Sequence, residues 1–398
     1  MKNQSIKVKI IRILVDNMAR IALVGTRGLP PNYGGYETFA DNFVKHMVPR
    51  GHEVIVACEK PRKANLPNEY FGAKLAYFPT RPPRIYSLRK IYEGLNDLYF
   101  YLKLARKCDI MYILSGMGTQ AIRIIRLLNP KIKIVTSSDG LEWQRSKHSF
   151  FERVLIKSFT KSSLKHSDLI VHDHPHLEEV FPKHDKNKAV VINNGVEIPP
   201  SRKWDETLLQ KVSNLPKELK SGEYWMIVAR LQKDNNTHTI IEGFVNSESN
   251  FPLLVVGGVW DSGYGKVLEK LMKSDPRKRV FMLGGIYDLD ILDMLREHST
   301  GIIHGHSAGG TNPSLLEAMA MRRYVLAHDN QFNRFVLDDV GDFFSDSISL
   351  SSIINRVEKD KSSREKCGEE NFERIVEMYL WERCFNSHEE HFLRILDS

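Results

Sequence analysis

Short apolar runs alternate with longer amphipathic segments along the chain. The first run, ARIALVG at 19–25, precedes a segment in which Phe39, Phe43 and Met47 recur at helical spacing. Ten later apolar runs, separated by helix-like segments, lie at 52–59, 108–116, 131–140, 167–173, 189–195, 224–231, 252–258, 279–285, 301–307 and 324–329. Strands that alternate with helices predict parallel βα units, so we expect an α/β protein with doubly wound parallel sheets.

The strand pattern restarts once, which indicates two domains. The stretch 196–221 is rich in proline and charged residues, and a new series of apolar runs follows it. A chain of 398 residues is long for one ordinary domain and suits two. We predict Rossmann-like domains at 1–200 and 201–377, with residues 1–17 as a candidate extension before the first strand. Ligands of two such domains are expected in a cleft at the carboxyl ends of both sheets.

The composition narrows the class of protein further. Apolar residues make up 42% of the chain and charged residues 27%, which excludes wholesale disorder. No stretch approaches the 18 uncharged apolar residues of a membrane span, and the basic start lacks a small-residue cleavage site. The four cysteines are too scattered for a disulfide framework or a CxxC zinc site. We therefore expect a protein of the reducing cytosol.

The net charge of +8 is unevenly distributed. Residues 1–196 carry 32 lysines and arginines against 17 acids, and the remainder carries 25 against 32. A basic first half suggests an anionic partner: nucleic acid, a phospholipid surface or a phosphorylated substrate. The charge alone does not choose among these three.

Two glycine-rich loops are typical of phosphate-binding turns. Gly34 and Gly35 precede a predicted helix, where backbone amides approach a phosphate closely; a tight turn that merely packs is the alternative. The segment 25–28 does not match G-x-G-x-x-G, and no G-x-x-x-x-G-K-[ST] occurs. These absences count against a dehydrogenase and a P-loop ATPase.

The second domain supplies a stronger signal. Arg230 closes a predicted strand, where a guanidinium forks onto phosphate oxygens. Gly309 and Gly310 precede another predicted helix, so they form a second candidate anion site. Glu317, one turn into that helix, either accepts hydrogen bonds from a ribose hydroxyl or is an ordinary solvated helix acid, and the spacing favours neither.

Five segments together resemble a known family. They are VGTRGLPPNYGGYETFADNF (24–43), SDGLEWQRSK (138–147), ARLQKDNNTHTIIEGF (229–244), LGGIYDLDIL (283–292) and HGHSAGGTNPSLLEAMA (304–320). With YLWERCF (379–385), they resemble the retaining glycosyltransferases of family 4, which have the GT-B fold. The specific resemblance is to the bacterial rhamnosyltransferase branch that makes capsule and cell-wall polysaccharides. A C-terminal helix near 378–398 is expected to pack back on the first domain.

The resemblance implies transfer from a nucleotide-diphosphate sugar with retention at the anomeric carbon, without a metal or cofactor. Gly34 and Gly35 would cradle phosphate, Arg230 would neutralise the departing diphosphate, and Glu317 would hold the ribose. The backbone at 286–288 would receive the base, and the amides at 310–312 would face the sugar and phosphate. The implied positions are Arg230, Glu317 and Asp139 for catalysis, and Gly34, Gly35, Asn235, Ile286, Tyr287, Asp288, Gly309, Gly310, Thr311 and Asn312 for donor binding.

Three departures from the family pattern concern the donor. Asn235 stands where the family usually has a lysine, and Lys233 lies nearby as a substitute. Gly309 replaces a usual glutamate, and Asp139 stands at the position of a common histidine. In the family, that histidine and that glutamate contact hexose hydroxyls. Their loss suits a 6-deoxy sugar, so deoxythymidine-diphosphate rhamnose (dTDP-rhamnose) is the expected donor; a UDP-hexose stays open.

The acceptor is expected at the basic domain. Arg153, Lys157, Lys161 and Lys165 recur every four residues as a cationic stripe, and 81–90 forms a second basic cluster, followed by Tyr92, Tyr99, Phe100 and Tyr101. Each segment alone is typical of a solvated face above packed aromatic residues. With the family resemblance, they favour a lipid-diphosphate-linked saccharide acceptor at the inner, anionic face of the cell membrane. The residues expected to grip sugar or acceptor phosphate are Asp139, Glu142, Trp143, Arg145 and Lys147.

Two other classes of protein stay open. One is a catalytically inactive relative that only binds a nucleotide sugar, which the missing lysine and glutamate permit. The other is a nucleic-acid-binding protein that uses the basic half; the absence of a recognised module counts against it. The histidines at 172–176 have a metal-like spacing but are interpreted as hydrogen-bonded loop residues.

Overall fold

The structure is a computed structural model that describes residues 18–31, 34–61, 66–114, 122–138, 149–180, 186–259, 262–307 and 309–398. These residues form two compact units. The first comprises the described residues up to Asn194 together with Trp381–Ser398, and the second comprises Gly195–Leu380. Among the described residues, no helix is long and apolar enough to cross a membrane.

The described part of the first unit contains an eight-stranded sheet. Its order is β3-β4-β2-β1-β5-β6-β7-β8, and every ladder is parallel except the one between β3 and β4. The strands are β1 (Arg20–Val24), β2 (Glu53–Cys58), β3 (Glu69–Tyr70), β4 (Ala73–Tyr77), β5 (Ile110–Ile113), β6 (Lys133–Ser138), β7 (Leu169–His172) and β8 (Ala189–Val191). The helices between them are α1 (Gly35–Met47), α2 (Tyr86–Leu104), α3 (Ile122–Leu128), α4 (Phe150–His166) and α5 (Pro175–Val180).

The second unit has a six-stranded parallel sheet over its described residues, in the order β11-β10-β9-β12-β13-β14. The strands are β9 (Trp225–Val228), β10 (Leu253–Val256), β11 (Val280–Gly284), β12 (Gly301–His304), β13 (Val325–His328) and β14 (Asp342–Phe344). The helices are α6 (Glu206–Leu209), α7 (Thr237–Asn246), α8 (Ser262–Lys273), α9 (Leu289–Glu297), α10 (Pro313–Ala320), α11 (Gln331–Leu337), α12 (Ser347–Val357) and α13 (Lys361–Met378).

Alternate residues of the central strand β1 face the two layers of the first unit. Ile21 and Leu23 join one buried cluster, and Ala22 and Val24 join another, as the period of two in a strand requires. The C-terminal helix α14 (Trp381–Asp397) packs with α1 in the first of these clusters. Burial on both faces explains why the strand is apolar from Ile21 to Val24.

The second unit is built in the same way around β9. Met226 belongs to one buried cluster, and Trp225 and Ile227 belong to the other. Both units are therefore parallel sheets covered by helices on both faces, and the predicted α/β class with two parallel-sheet domains is confirmed.

Candidate functional site

Each sheet has one point at which the order of its strands reverses. In the first unit β1 lies between β2 and β5, and in the second unit β9 lies between β10 and β12. Loops that leave neighbouring strands in opposite directions at such a point open a crevice at the carboxyl edge of the sheet. The loop that carries Gly34 and Gly35 follows β1, and Arg230 and the segment 305–312 follow β9 and β12.

Hydrogen bonds join the two loops at the reversal point of the second unit. The Asn235 side chain donates to the Arg230 carbonyl oxygen at 2.6 Å, and its Oδ1 lies 2.8 Å from Nδ1 of His306. Asn236 donates to the Gly305 carbonyl oxygen at 2.9 Å, and the Ser307 N–H donates to the Asp234 carbonyl oxygen at 2.9 Å. The loop that carries Arg230 is therefore fixed against the loop that leads to α10.

Arg230 is exposed at this edge of the sheet. Within the described part of the chain, no carboxylate forms an ion pair with its guanidinium. Most other arginines of the second unit are engaged with acids or carbonyl oxygens, as Arg279 is with Asp275. Arg230 therefore presents an exposed guanidinium from a backbone position that Asn235 fixes. Such a guanidinium at a crevice is suited to bind a phosphate.

His304, at the end of β12, is buried beside this loop pair. Burial, together with the neighbouring His306 and His328, lowers the pKa of His304 to about 3, so its ring is neutral at neutral pH. Its Nε2 has no hydrogen-bond partner among the described residues. His304 is thus a buried, neutral polar group at the carboxyl edge of the second sheet.

The segment before α10 presents a helix amino end. Gly309 and Gly310 both have positive φ, which glycine adopts without strain. Asn312 caps the helix by accepting from the Ser314 N–H at 3.0 Å, and Pro313 follows at the first helical position. Thr311 is buried. The two glycines therefore also have a purely conformational role, and their contact with a donor stays a prediction.

Glu317 lies in α10 and contacts Arg296 of α9. The Arg296 guanidinium reaches Oε2 of Glu317 and also Oδ1 of Asp293 at 3.1 Å. Arg296 is buried, whereas the Glu317 side chain is 38% exposed. Glu317 is therefore neither a freely solvated acid nor a buried one: a cation from inside the unit orients its carboxylate. Arg296 was not predicted from the sequence, because an arginine near the end of a helix is ordinarily solvated and its burial depends on the packing of α9.

The predicted base-binding segment connects β11 to α9. Asp288 caps α9 by accepting from the Asp290 N–H at 3.1 Å, so its carboxylate is used in the cap. Tyr287 is 74% exposed, and Ile286 packs against the core. This leaves the Tyr287 ring on the surface beside a capped helix start, and contact with a base stays a prediction.

The loop after β1 is closed by a buried acid. Oε1 of Glu37 accepts from the Arg27 N–H at 3.0 Å and from the Thr26 hydroxyl at 3.5 Å. Gly34 has a φ of 145°, and a Cβ there would collide with Oε2 of Glu37. Gly35 begins α1, and among the described residues no atom beyond its chain neighbours and the helix backbone lies within 4 Å of the position that its Cβ would occupy. The backbone conformation therefore requires glycine at 34 but not at 35.

Several predicted contacts lie outside the described residues. Asp139, Glu142, Trp143, Arg145 and Lys147 all fall in the undescribed stretch 139–148. Ser138, just before it, lies 2.5 Å from the His172 ring through its hydroxyl. Asn194 donates to Asp173 at 3.2 Å. Over the described ranges, no group of three or more histidine, cysteine or acidic side chains is arranged to hold a metal ion.

The surface prediction for the basic domain needs one correction. Tyr92, Phe100 and Tyr101 are buried in the first unit, so these aromatic side chains do not face a membrane. Phe100 and Tyr101 belong to the buried cluster between α2 and the sheet, and the Tyr92 ring packs against Phe78. Lys157, Lys161 and Lys165 of α4 are exposed, as the cationic stripe required, and Arg153 is half-buried.

Two family models match the chain, one in each unit. The "Domain of unknown function (DUF1972)" matches residues 18–197, and "Glycosyl transferases group 1" matches residues 213–374. No curated protein matches the sequence.

The solved structures that resemble the chain share its architecture at low identity. Sucrose-phosphate synthase from Thermosynechococcus elongatus has a TM-score of 0.79 and 15% identity, over 95% of this chain and 100% of that one. HepE from Anabaena in complex with UDP has a TM-score of 0.71 and 15% identity, over 94% and 99%. A glycosyltransferase from Rickettsia africae has a TM-score of 0.70 and 14% identity, over 96% and 99%. These likenesses establish the fold, and residues 213–374 form a glycosyl transferases group 1 domain, so the protein is a glycosyltransferase with the GT-B fold.

Proposed function

We propose that the enzyme transfers a sugar from a nucleotide-diphosphate donor to a lipid-linked saccharide, with retention of anomeric configuration. The observation that carries the proposal is Arg230. Its guanidinium is exposed at the reversal point of the second sheet, and Asn235 holds its backbone carbonyl oxygen beside the loop that leads to α10. Structures of Anabaena HepE in complex with UDP and with UDP-glucose support a nucleotide-sugar donor for this fold.

The chemistry asks the protein mainly to stabilise charge on a leaving diphosphate. Arg230 donates charge-assisted hydrogen bonds to the phosphate oxygens, and backbone amides at the amino end of α10 add to them. The Asn235 side chain is engaged with Arg230 and His306, so the positive charge comes from Arg230, with Lys233 exposed on the same loop. Preorganised donors of this kind need neither a resident metal nor a cofactor in the proposed reaction.

The proposed donor is dTDP-rhamnose, and the enzyme would then belong to the rhamnosyltransferase branch. Gly309 and Asp139 replace the glutamate and histidine that contact hexose hydroxyls in related enzymes, and a 6-deoxy sugar carries a methyl group instead of one hydroxyl. A UDP-hexose is the competing donor. An inactive relative that binds the nucleotide sugar without turnover is the competing function.

The proposed acceptor is a saccharide linked to a lipid diphosphate, used in the synthesis of capsule or cell-wall polysaccharide. The exposed lysines of α4 give the first unit a cationic face that suits an anionic membrane surface. The enzyme would then work at the inner face of the cell membrane as a peripheral protein.

A panel of nucleotide sugars tests the donor. dTDP-rhamnose should raise the unfolding temperature more than UDP-glucose, because a ligand that binds only the folded state stabilises it. Turnover with a lipid-linked acceptor and the anomeric configuration of the product, read by NMR, then test transfer and retention. Preferential stabilisation by UDP-glucose would rule out dTDP-rhamnose as the donor in favour of a UDP-hexose. Stabilisation without turnover would favour an inactive relative that only binds the nucleotide sugar.

Arg230→Ala tests the assignment of the phosphate contact. Loss of one or two charge-assisted hydrogen bonds should lower kcat/KM by about tenfold or more, with the unfolding temperature unchanged because the side chain is exposed. Lys266→Ala, an exposed cation on α8, is the matched control and should leave turnover unchanged. Near-normal turnover of Arg230→Ala would remove this residue from the mechanism.

A further inference from the structure

The helix α2 is apolar on its solvent side as well as on its buried side. Ile85, just before the helix, and Ile91 are 61% and 62% exposed, and Leu88 and Leu95 are exposed on the same face. Residues three and four apart lie on one face of a helix, so these side chains form a continuous stripe. An apolar stripe that faces water on a helix already packed by its other side indicates a partner for the outer face.

The helix α4 carries a second exposed apolar group at its start. Phe150 and Phe151 are 74% and 83% exposed, and Val154 and Leu155, one turn later, are also exposed. Of the 17 residues of α4, the buried ones are Ser163 and Leu164, so no side chain in the first half of the helix is buried.

A capping box fixes the place where α4 begins. The Ser149 side chain accepts from the Glu152 N–H, and the Glu152 carboxylate accepts from the Ser149 N–H at 2.8 Å. This arrangement satisfies backbone groups at the helix start without help from the core. The two phenylalanines are therefore presented on a defined helical turn, and helix formation itself does not bury them.

Both apolar groups lie in one layer of the first unit. The helices α2 and α4 each begin after a parallel strand, so both start at the carboxyl edge of the sheet, and α3 packs between them. The outward residues Ile124 and Leu127 of α3 are exposed as well. We name the eight residues of α2 and α4 the apolar rim: Ile85, Leu88, Ile91, Leu95, Phe150, Phe151, Val154 and Leu155.

Exposed cations flank the apolar rim. Arg81 and Arg84 are exposed just before α2, and Lys157 and Lys161 are exposed on the turns of α4 that follow the phenylalanines. The helix α4 has four basic residues and one acidic residue. Aromatic and aliphatic side chains beside lysine and arginine match the boundary between acyl chains and anionic headgroups of a bilayer.

We propose that the apolar rim inserts into the headgroup–acyl boundary of an anionic bilayer, with the flanking cations at the level of the lipid phosphates. The proposal rests on the membrane location given in the proposed function. It extends the electrostatic attraction of the cationic face to the membrane by adding the insertion of apolar side chains into the bilayer. Binding then has two parts: salt weakens the contribution of the cations, and the contribution of the buried apolar area withstands salt.

Vesicle sedimentation with the full chain separates these two parts. We use vesicles of phosphatidylcholine alone and of phosphatidylcholine mixed with phosphatidylglycerol, at low and high salt. The double variant Phe150→Ser/Phe151→Ser should lower the binding that remains at high salt by about tenfold or more. The double variant Lys157→Gln/Lys161→Gln should lower the binding to anionic vesicles at low salt and leave the salt-resistant part unchanged.

Ile348→Ser is the matched control, because Ile348 is an exposed apolar residue of the second unit at 80% exposure. It should bind vesicles as the wild type does, and all variants should keep the wild-type unfolding temperature because the altered side chains are exposed. Unchanged high-salt binding of Phe150→Ser/Phe151→Ser would overturn insertion. A wild-type dimer that this variant makes monomeric would overturn it too, since the rim would then be a protein interface.

Sugar transfer to a water-soluble acceptor analogue keeps this proposal apart from the proposed function. Turnover of the analogue without vesicle binding would overturn the insertion and leave the transferase proposal standing. Salt-resistant vesicle binding without turnover of any nucleotide sugar would support the insertion and contradict the transferase proposal.

Discussion

The buried guanidinium of Arg296 contacts the carboxylate of Glu317. Arg296 also holds Asp293, so a cation from α9 orients the acid that the family resemblance assigns to the ribose. In the proposed function, the pair would join a stabilising role to a binding role. Because Arg296 already orients the Glu317 carboxylate, this side chain loses little further rotamer freedom when a hydroxyl donates to it.

Glu317→Gln should separate the two roles. The variant keeps the shape of the side chain and removes its charge, so the free energy of unfolding in urea should fall by about 1 kcal/mol because Arg296 retains Asp293. The KM for the donor should rise with little change in kcat, since ribose contacts are kept from ground state to transition state. Glu369→Gln, whose partner Arg322 is exposed, should change neither quantity. A fall in kcat alone would contradict the ribose assignment.

The fold could be predicted from the sequence because both sheets are covered on two faces. Strands buried on both sides are mostly apolar, and all eleven predicted runs contain strands among the described residues. The strands that were not predicted are β3, β4 and β14, which lie at or near sheet edges. Lys74 in β4 is exposed and Asp342 begins β14, so their apolar signal is short and interrupted.

The site could be predicted only in part. Arg230 was recognisable because it follows directly on a buried strand, but the pairing of Arg296 with Glu317 depends on how two helices pack. The outer face of α2 was missed for a different reason. Apolar residues occur on both sides of that helix, and its pattern does not say that Phe100 faces the sheet while Ile91 faces solvent.

Asn235 should act by holding the loop of Arg230. Asn235→Asp keeps the acceptor for His306 and loses the donor to the Arg230 carbonyl oxygen, whereas Asn235→Ala loses both. We expect about a tenfold loss of kcat/KM for Asn235→Asp and a larger loss for Asn235→Ala, at nearly wild-type unfolding temperature, because one hydrogen bond contributes about 1 kcal/mol. Equal, small effects of both variants on donor turnover would show that the hydrogen bonds of Asn235 are not needed to position the loop of Arg230.

Acid should destabilise the fold through His388. Burial lowers the pKa of this histidine to about 4, below its ordinary value of 6.5, although its Nδ1 lies 2.8 Å from the Cys384 carbonyl oxygen. Between these two values the unfolded chain binds a proton that the folded chain does not, so stability falls as the pH drops from 6.5 towards 4. The loss reaches about 3 kcal/mol.

The measurement is urea unfolding of the wild type and of His388→Gln across that pH range. The variant should show a shallower pH dependence, and identical slopes would rule out His388 as the cause. The difference between the two proteins is the informative quantity, because burial raises the pKa of Asp97 and gives a contribution of the opposite sign that is common to both.

Gly34 and Gly35 should respond to alanine in opposite ways. Gly34→Ala places a side chain at positive φ and against Glu37, so it should lower the unfolding temperature. Gly35→Ala meets no side chain of the described residues within 4 Å and replaces glycine by a better helix former, so the fold should be as stable as the wild type or about 0.5–1 kcal/mol more stable. If the first turn of α1 receives a phosphate, the new methyl group obstructs its approach, and kcat/KM should fall by about tenfold or more in a fully folded protein. Full activity of Gly35→Ala would leave Gly34 with a structural role and remove α1 from phosphate binding.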